Sequence, residues 1–212
     1  MGGRKTQEQL GYQNLKKAKT ANLDKWGTDA NHNILYVTGY SGSGKSTIAK
    51  SLANSKTNVI HLDTYFWKFD KNVTSKFHDK EFNKFLEQQF PVYKEIANAD
   101  NHSKEKWKKV DMFMEQTEKF AAQQFKNGKK VIVEGVQLHD TTTYPDKNFF
   151  KGKPIVIVGS SAVVSVLRAA KRDERSLLMS PKMTKEFVEW YTDTHKNLST
   201  LSDIVSAERG SE

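Results

Sequence analysis

An eight-residue stretch at 39–46 has the residue types and spacing needed to bind a chain of phosphate groups, since it reads Gly-Tyr-Ser-Gly-Ser-Gly-Lys-Ser. In this pattern, G-x-x-x-x-G-K-[ST], glycines let the backbone turn tightly so that successive N–H groups face an anion. Lys45 would reach the β- and γ-phosphates of a nucleotide, and the Ser46 hydroxyl would bind Mg²⁺. The loop therefore predicts ATP and Mg²⁺ as ligands. The residues predicted to contact the nucleotide are Gly39, Ser41, Gly42, Ser43, Gly44, Lys45, Ser46 and Thr47.

The sequence on both sides of the loop fits the elements that such a loop needs. An apolar, β-branched run at 34–37 predicts a strand over 34–38, and residues 47–53 are compatible with a helix, predicted over 44–54. A phosphate loop joins a strand to the N-terminus of a helix, where the helix dipole favours negative charge. An accidental match to the pattern is therefore a poor alternative.

Beyond the loop, predicted strands and helices alternate, which is typical of a parallel sheet. We predict an α/β, three-layer P-loop NTPase fold with a mostly parallel central sheet flanked by helices. The predicted strands are 34–38, 58–62, 130–134 and 154–158. The predicted helices are 44–54, 79–99 with a kink or break at Pro91, 103–127, 161–175 and 183–199. A fifth strand is not clear, and 203–205 is a poor candidate for one.

Candidate chemical groups follow the later strands, where open α/β sheets place their sites. Asp63 follows the second predicted strand, and Glu134 ends the third. Glu134 could hold Mg²⁺ through water, helped by Ser46, and would then lie beside the substrate. Either carboxylate could instead serve a structural role, as a turn residue or as the partner of a lysine.

Four short motifs over about 34–178 resemble the small-molecule P-loop kinases, most closely the uridine kinase-like group. Besides the loop, they are Asp63-Thr64-Tyr65-Phe66, the run Val131-Ile132-Val133-Glu134-Gly135, and a helix with Arg168 and Arg172-Asp173-Glu174-Arg175. The arginine motif is one or two residues shorter than the pattern of that group.

The resemblance implies roles for individual residues. Asp63 would be the general base on the acceptor hydroxyl, and Lys45 would act with it in catalysis. Arg168 and Arg172 would fold over the transferring phosphoryl group as catalytic residues, and Arg175 would contact the nucleotide. These arginines are spaced four and three residues apart, so they share one helix face. A solvated basic face paired with neighbouring acids is the alternative.

Aromatic and histidine side chains near the strand ends are candidate contacts to the acceptor. Tyr65, Phe66 and Trp67 could stack on an acceptor ring or pack in the core with equal merit. His139, after the third predicted strand, could touch the acceptor or lie in an ordinary loop. His61 is expected to be buried rather than catalytic.

These features favour an enzyme, a P-loop kinase with an alcohol group as acceptor. The resemblance supplies the acceptor class, a small metabolite such as a nucleoside or nucleotide-like molecule. A polynucleotide 5′-hydroxyl kinase or a toxin-like nucleotide-sugar kinase would share the same motifs. A non-catalytic ATP-binding or ATPase module would need only the loop.

Composition limits the remaining possibilities. The chain has 34 lysines and arginines against 25 aspartates and glutamates, a net charge of +9, which suits polyanionic ligands and leaves nucleic acid open as a partner. There is no cysteine, so disulfides are excluded. No apolar run is long enough for a membrane span, and a cytoplasmic location is expected.

Residues 1–33 are predicted to be a basic arm or linker, helical over about 7–24 and docking through Trp26, with the kinase domain at 34–212. The oligomeric state is open.

Overall fold

The computed structural model describes residues 15–40, 42–62, 65, 79–89, 105–139, 147–159 and 198–207, and for 105–110 and 147–148 the backbone only. Within these described residues, five strands form one sheet, and helices cover both of its faces. The strands are β1 (Lys19–Ala21), β2 (Ile34–Gly39), β3 (Thr57–His61), β4 (Lys130–Glu134) and β5 (Ile155–Val158). The helices are α1 (Lys45–Leu52), α2 (Lys80–Gln88), α3 (Glu105–Lys126) and α4 (198–207).

The sheet is parallel except at one edge. Its strand order is β1-β5-β2-β4-β3, with β2 central and paired in parallel to both β4 and β5. The short strand β1 pairs antiparallel with β5. All six residues of β2 and all four of β5 are buried, as expected for strands covered on both faces. The predicted α/β fold, with a mostly parallel sheet between helices, is confirmed.

In the part of the chain that the structure describes, alternating side chains divide the core into two clusters, one on each face of the sheet. On one face, Leu35 and Val37 of β2 pack with Ile48 and Ala49 of α1. On the other face, Tyr36 belongs to a larger cluster with α2, α3 and α4. That cluster includes Phe82, Phe113, Phe120, Leu201 and Val205. The helix over the first face is the one that begins at the phosphate loop, so packing of α1 also places the loop.

The fifth strand comes from the N-terminal segment, not from the C-terminal one. The helix predicted over 7–24 is wrong at 19–21, which form β1, and at 23–24, which belong to the 3₁₀ turn Leu23–Lys25. Residues 203–205, considered as a strand, lie in α4. Trp26 docks as expected, because its indole N–H donates to the Val131 carbonyl at 3.2 Å. The domain boundary at residue 33 stays a prediction.

Most predicted elements lie within one or two residues of the observed ones, and some lie partly outside the described residues. The structure covers the helix predicted over 79–99 only to residue 89, and the helix at 161–175 not at all. Within the described ranges, no helix is both long and apolar enough to cross a bilayer.

Candidate nucleotide-binding site

At its glycines, the loop between β2 and α1 has a backbone conformation that other residues rarely adopt. Gly39 has φ of 147° and Gly44 has φ of 102°, both in the region that other residues rarely adopt. A Cβ at Gly39 would lie 2.6 Å from the carbonyl oxygen of Val158 and 2.9 Å from Oγ of Ser43. Glycine at position 39 therefore lets the loop leave the sheet directly against β5.

The loop ends at the N-terminus of α1, where Gly44 is the N-cap and offers no side chain as a cap. Its carbonyl accepts hydrogen bonds from the N–H groups of Thr47 and Ile48 at 3.1 Å. The first N–H groups of a helix have no acceptor within the helix and, with the dipole, attract anions. The start of α1 is therefore suited to a phosphate.

Lys45 holds its ammonium group at the loop. The residue is only 5% exposed, and its Nζ donates to the Tyr40 carbonyl at 2.9 Å. The same carbonyl accepts a hydrogen bond from the N–H of Ser43 at 3.0 Å, so Lys45 and Ser43 both bind the Tyr40 carbonyl and stabilise the turn. A buried positive charge beside an anion-binding backbone favours a polyanionic ligand such as a triphosphate.

Glu134 joins the loop to the neighbouring strands. The Ser46 hydroxyl donates to Oε1 of Glu134 at 2.8 Å, and Nδ1 of His61 lies 2.6 Å from the same oxygen. The glutamate side chain is 5% exposed and that of His61 is 15% exposed. Three elements, α1, β3 and β4, therefore meet at one carboxylate.

The electrostatics of this cluster keep Glu134 ionised. Burial raises the pKa of Glu134, but the hydrogen bond from His61, the positive charge of Lys45 and the hydrogen bond from Ser46 outweigh it. The net effect is a pKa below the ordinary value of 4.5. An ionised carboxylate only accepts hydrogen bonds, so His61 donates through Nδ1–H.

Ser46 and Glu134 have the right chemistry for Mg²⁺. Oε2 of Glu134 is buried and accepts no hydrogen bond from any described residue. A serine hydroxyl that donates its proton keeps lone pairs for a cation, and Mg²⁺ is usually held by one or two carboxylates plus phosphates. Among the described residues no group of three or more histidines or carboxylates could form an all-protein metal cage. The residues present therefore fit a cation that is shared with a nucleotide.

Residues 35–189 match the family described as AAA domain. The match covers more than half of the chain and includes the loop, Asp63, Glu134 and the three arginines. The chain belongs to the AAA domain family. No curated protein matches the sequence with significant similarity.

Membership in the AAA domain family agrees with the geometry, because both describe a P-loop nucleotide-binding domain. The family of P-loop NTPase-like domains includes kinases, so the narrower uridine kinase-like assignment stays a prediction.

Of the residues proposed to contact an acceptor, the structure describes two besides Glu134, and both are buried. Tyr65 is 1% exposed, its hydroxyl donates to Oδ1 of Asn83 at 2.7 Å, and its ring packs against Phe82 and Phe113. Of the two alternatives left open for Tyr65, the observed contacts favour core packing.

His139 lies behind the phosphate loop. It is 0% exposed, its Nδ1 is 2.6 Å from the Thr38 hydroxyl, and its ring meets Tyr40 edge to face at 6.3 Å. The Thr38 hydroxyl also donates to the Gly135 carbonyl at 3.0 Å. This chain of contacts ties the end of β4 to the loop, so in this arrangement His139 supports the loop.

Several predicted site residues lie outside the described residues, and their roles stay predictions. They are Ser41, Asp63, Phe66, Trp67, Arg168, Arg172 and Arg175. Sequence reasoning did bring Lys45, Ser46 and Glu134 to one site. It missed His61, because the sequence does not show which residue of β4 lies opposite it. It also missed Thr38, whose hydroxyl contacts Gly135 and His139. The available signal was its position directly before the loop.

Proposed function

We propose that the protein is an ATP-dependent phosphotransferase that phosphorylates a hydroxyl group of a small metabolite, a nucleoside or nucleotide-like molecule. The observation that carries the proposal is the contact of Ser46, at the start of α1, with the buried, ionised Glu134 at 2.8 Å. It places a carboxylate beside a loop that offers backbone N–H groups and the ammonium of Lys45. The acceptor class rests on the resemblance to small-molecule P-loop kinases.

The proposed reaction needs positioning and charge neutralisation more than covalent chemistry. The acceptor oxygen forms a bond to the γ-phosphorus, the bond from that phosphorus to the bridging oxygen of ADP breaks, and the acceptor proton passes to Asp63. Lys45 would stabilise charge on the β- and γ-phosphate oxygens, and Arg168 and Arg172 would cover the transferring group. Bound Mg²⁺, held by Ser46 and Glu134, would neutralise charge that develops on the phosphates.

The direct test measures ADP formation in the presence of Mg²⁺, ATP and a panel of nucleosides, nucleotides and sugar derivatives. A kinase forms ADP only when its acceptor is present. The Asp63→Asn variant should keep its affinity for ATP and lose about 10²-fold or more in rate, as expected when a general base is removed. A rate of ADP formation that does not depend on any acceptor, and that is unchanged in Asp63→Asn, would indicate an ATPase module instead.

The net charge of +9 supports a second candidate, a polynucleotide 5′-hydroxyl kinase. Binding to a phosphate backbone by lysines and arginines weakens steeply with salt. The test is to measure binding of single-stranded oligonucleotides at rising salt and to look for labelled 5′ ends with radioactive ATP. Salt-sensitive binding together with 5′ labelling would favour this candidate over a nucleoside kinase.

A further inference from the structure

His61 ends β3 directly opposite Glu134, which ends β4. The two strands are parallel, and their register pairs the Cα atoms of these residues. Paired side chains on neighbouring strands share one face of the sheet, here the face covered by α1. The register therefore brings Nδ1 of His61 to 2.6 Å from Oε1 of Glu134.

Glu134 is held at one oxygen from two sides. Ser46 donates to Oε1 from α1, and His61 donates to the same atom from β3. A glutamate side chain has several rotatable bonds, so two donors on one oxygen restrict where the second oxygen can lie. Oε2, which no described residue engages by a hydrogen bond, is left as the remaining acceptor.

We infer that His61 is a positioning residue, which holds the Glu134 carboxylate in the orientation that, together with Ser46, receives a divalent cation. This inference rests on the proposed function, because the cation is the one that accompanies the nucleotide. The role is indirect, since His61 acts through Glu134. Partners that orient a metal-binding carboxylate typically change metal affinity by about 10- to 100-fold.

The experiment measures Mn²⁺ affinity by electron paramagnetic resonance of free Mn²⁺, at saturating ADP, for the full chain and its variants. His61→Leu should weaken Mn²⁺ binding about 10-fold while ADP affinity without metal is unchanged. His61→Asn keeps an amide donor near the place of Nδ1 and should stay near wild type. His61→Gln moves the donor farther out and should resemble His61→Leu.

A matched control comes from His32, which makes a similar contact away from the loop: its Nδ1 lies 2.8 Å from Oδ2 of Asp29. His32→Leu should leave Mn²⁺ affinity unchanged. If His61→Leu does not fold, the comparison of Mn²⁺ affinity between His61→Asn and His61→Gln tests the inference. A positioning role for His61 predicts that His61→Asn binds Mn²⁺ more tightly than His61→Gln.

The outcomes separate the inference from the proposed function. Unchanged Mn²⁺ affinity in His61→Leu, or equal losses in His61→Asn and His61→Gln, would overturn the positioning role while nucleotide binding stands. Failure of the wild-type protein to bind ADP at all would overturn the proposed function, and the inference with it.

Discussion

Replacing Gly39 with alanine should both destabilise the protein and abolish nucleotide binding. The backbone φ of 147° is one that residues with a Cβ rarely adopt, and the added Cβ would lie 2.6 Å from the Val158 carbonyl oxygen. Val158 is the register partner of Gly39 in the sheet, so its carbonyl cannot retreat without disturbing the pairing of β2 with β5. Relief must therefore come from the loop, which would lose its phosphate-binding shape.

The expected cost of Gly39→Ala combines backbone strain of about 1–3 kcal/mol with overpacking of about 1–3 kcal/mol. Gly128 is the matched control: its φ is 68°, and no described atom lies within 4 Å of an added Cβ. Gly128→Ala should therefore cost only the strain of a left-handed residue, about 1–2 kcal/mol.

Urea denaturation measures both costs, and the rise in melting temperature on adding ATP reports binding. We expect Gly128→Ala to keep the ATP-induced rise and Gly39→Ala to lose it. Equal destabilisation in the two variants, or an ATP response retained by Gly39→Ala, would refute the reasoning from the close contact with Val158.

Three further predictions concern single side chains. Lys45→Met should weaken ATP binding about 10- to 100-fold, because a charge-assisted contact is worth about 1.5–3 kcal/mol. The control Lys50→Met, on the exposed side of α1, should leave ATP binding unchanged. Isothermal titration calorimetry measures the ATP affinity of both variants. Glu134→Gln tests the lowered pKa of Glu134: the stabilisation from the carboxylate is fully present above its unfolded-state pKa and is lost as pH falls through the lower folded-state pKa. The variant should thus be less stable than wild type at pH 7, and the difference should shrink below about pH 4.5 in urea denaturation; a difference independent of pH would contradict the assignment. Tyr65→Phe removes the hydrogen bond to Asn83 and should cost about 1 kcal/mol with ATP binding intact, while weaker acceptor binding without loss of stability would show that the hydroxyl serves the substrate instead.

The elements most readily predicted were those whose local pattern matches their environment. Strand β2 reads as an apolar run because both of its faces are covered, and the glycines of the loop are required by local backbone geometry. The helix predicted over 7–24 is wrong at residues 19–24, because a few widely spaced apolar residues are a weak signal for a helix. There the pairing of β1 with β5 prevailed over local preference.

The phosphate loop can be identified from the sequence alone, because its turn, its lysine and its hydroxyl lie within one stretch of eight residues at 39–46. The sequence also identified Glu134, because a charged residue that ends an apolar strand stands out. Only the tertiary structure decided that His61 meets Glu134, since strand register depends on how whole strands pack. Only the tertiary structure shows that Tyr65 and His139 are buried. Their burial depends on packing against segments that are distant in the sequence, and the local sequence does not show which segments those are.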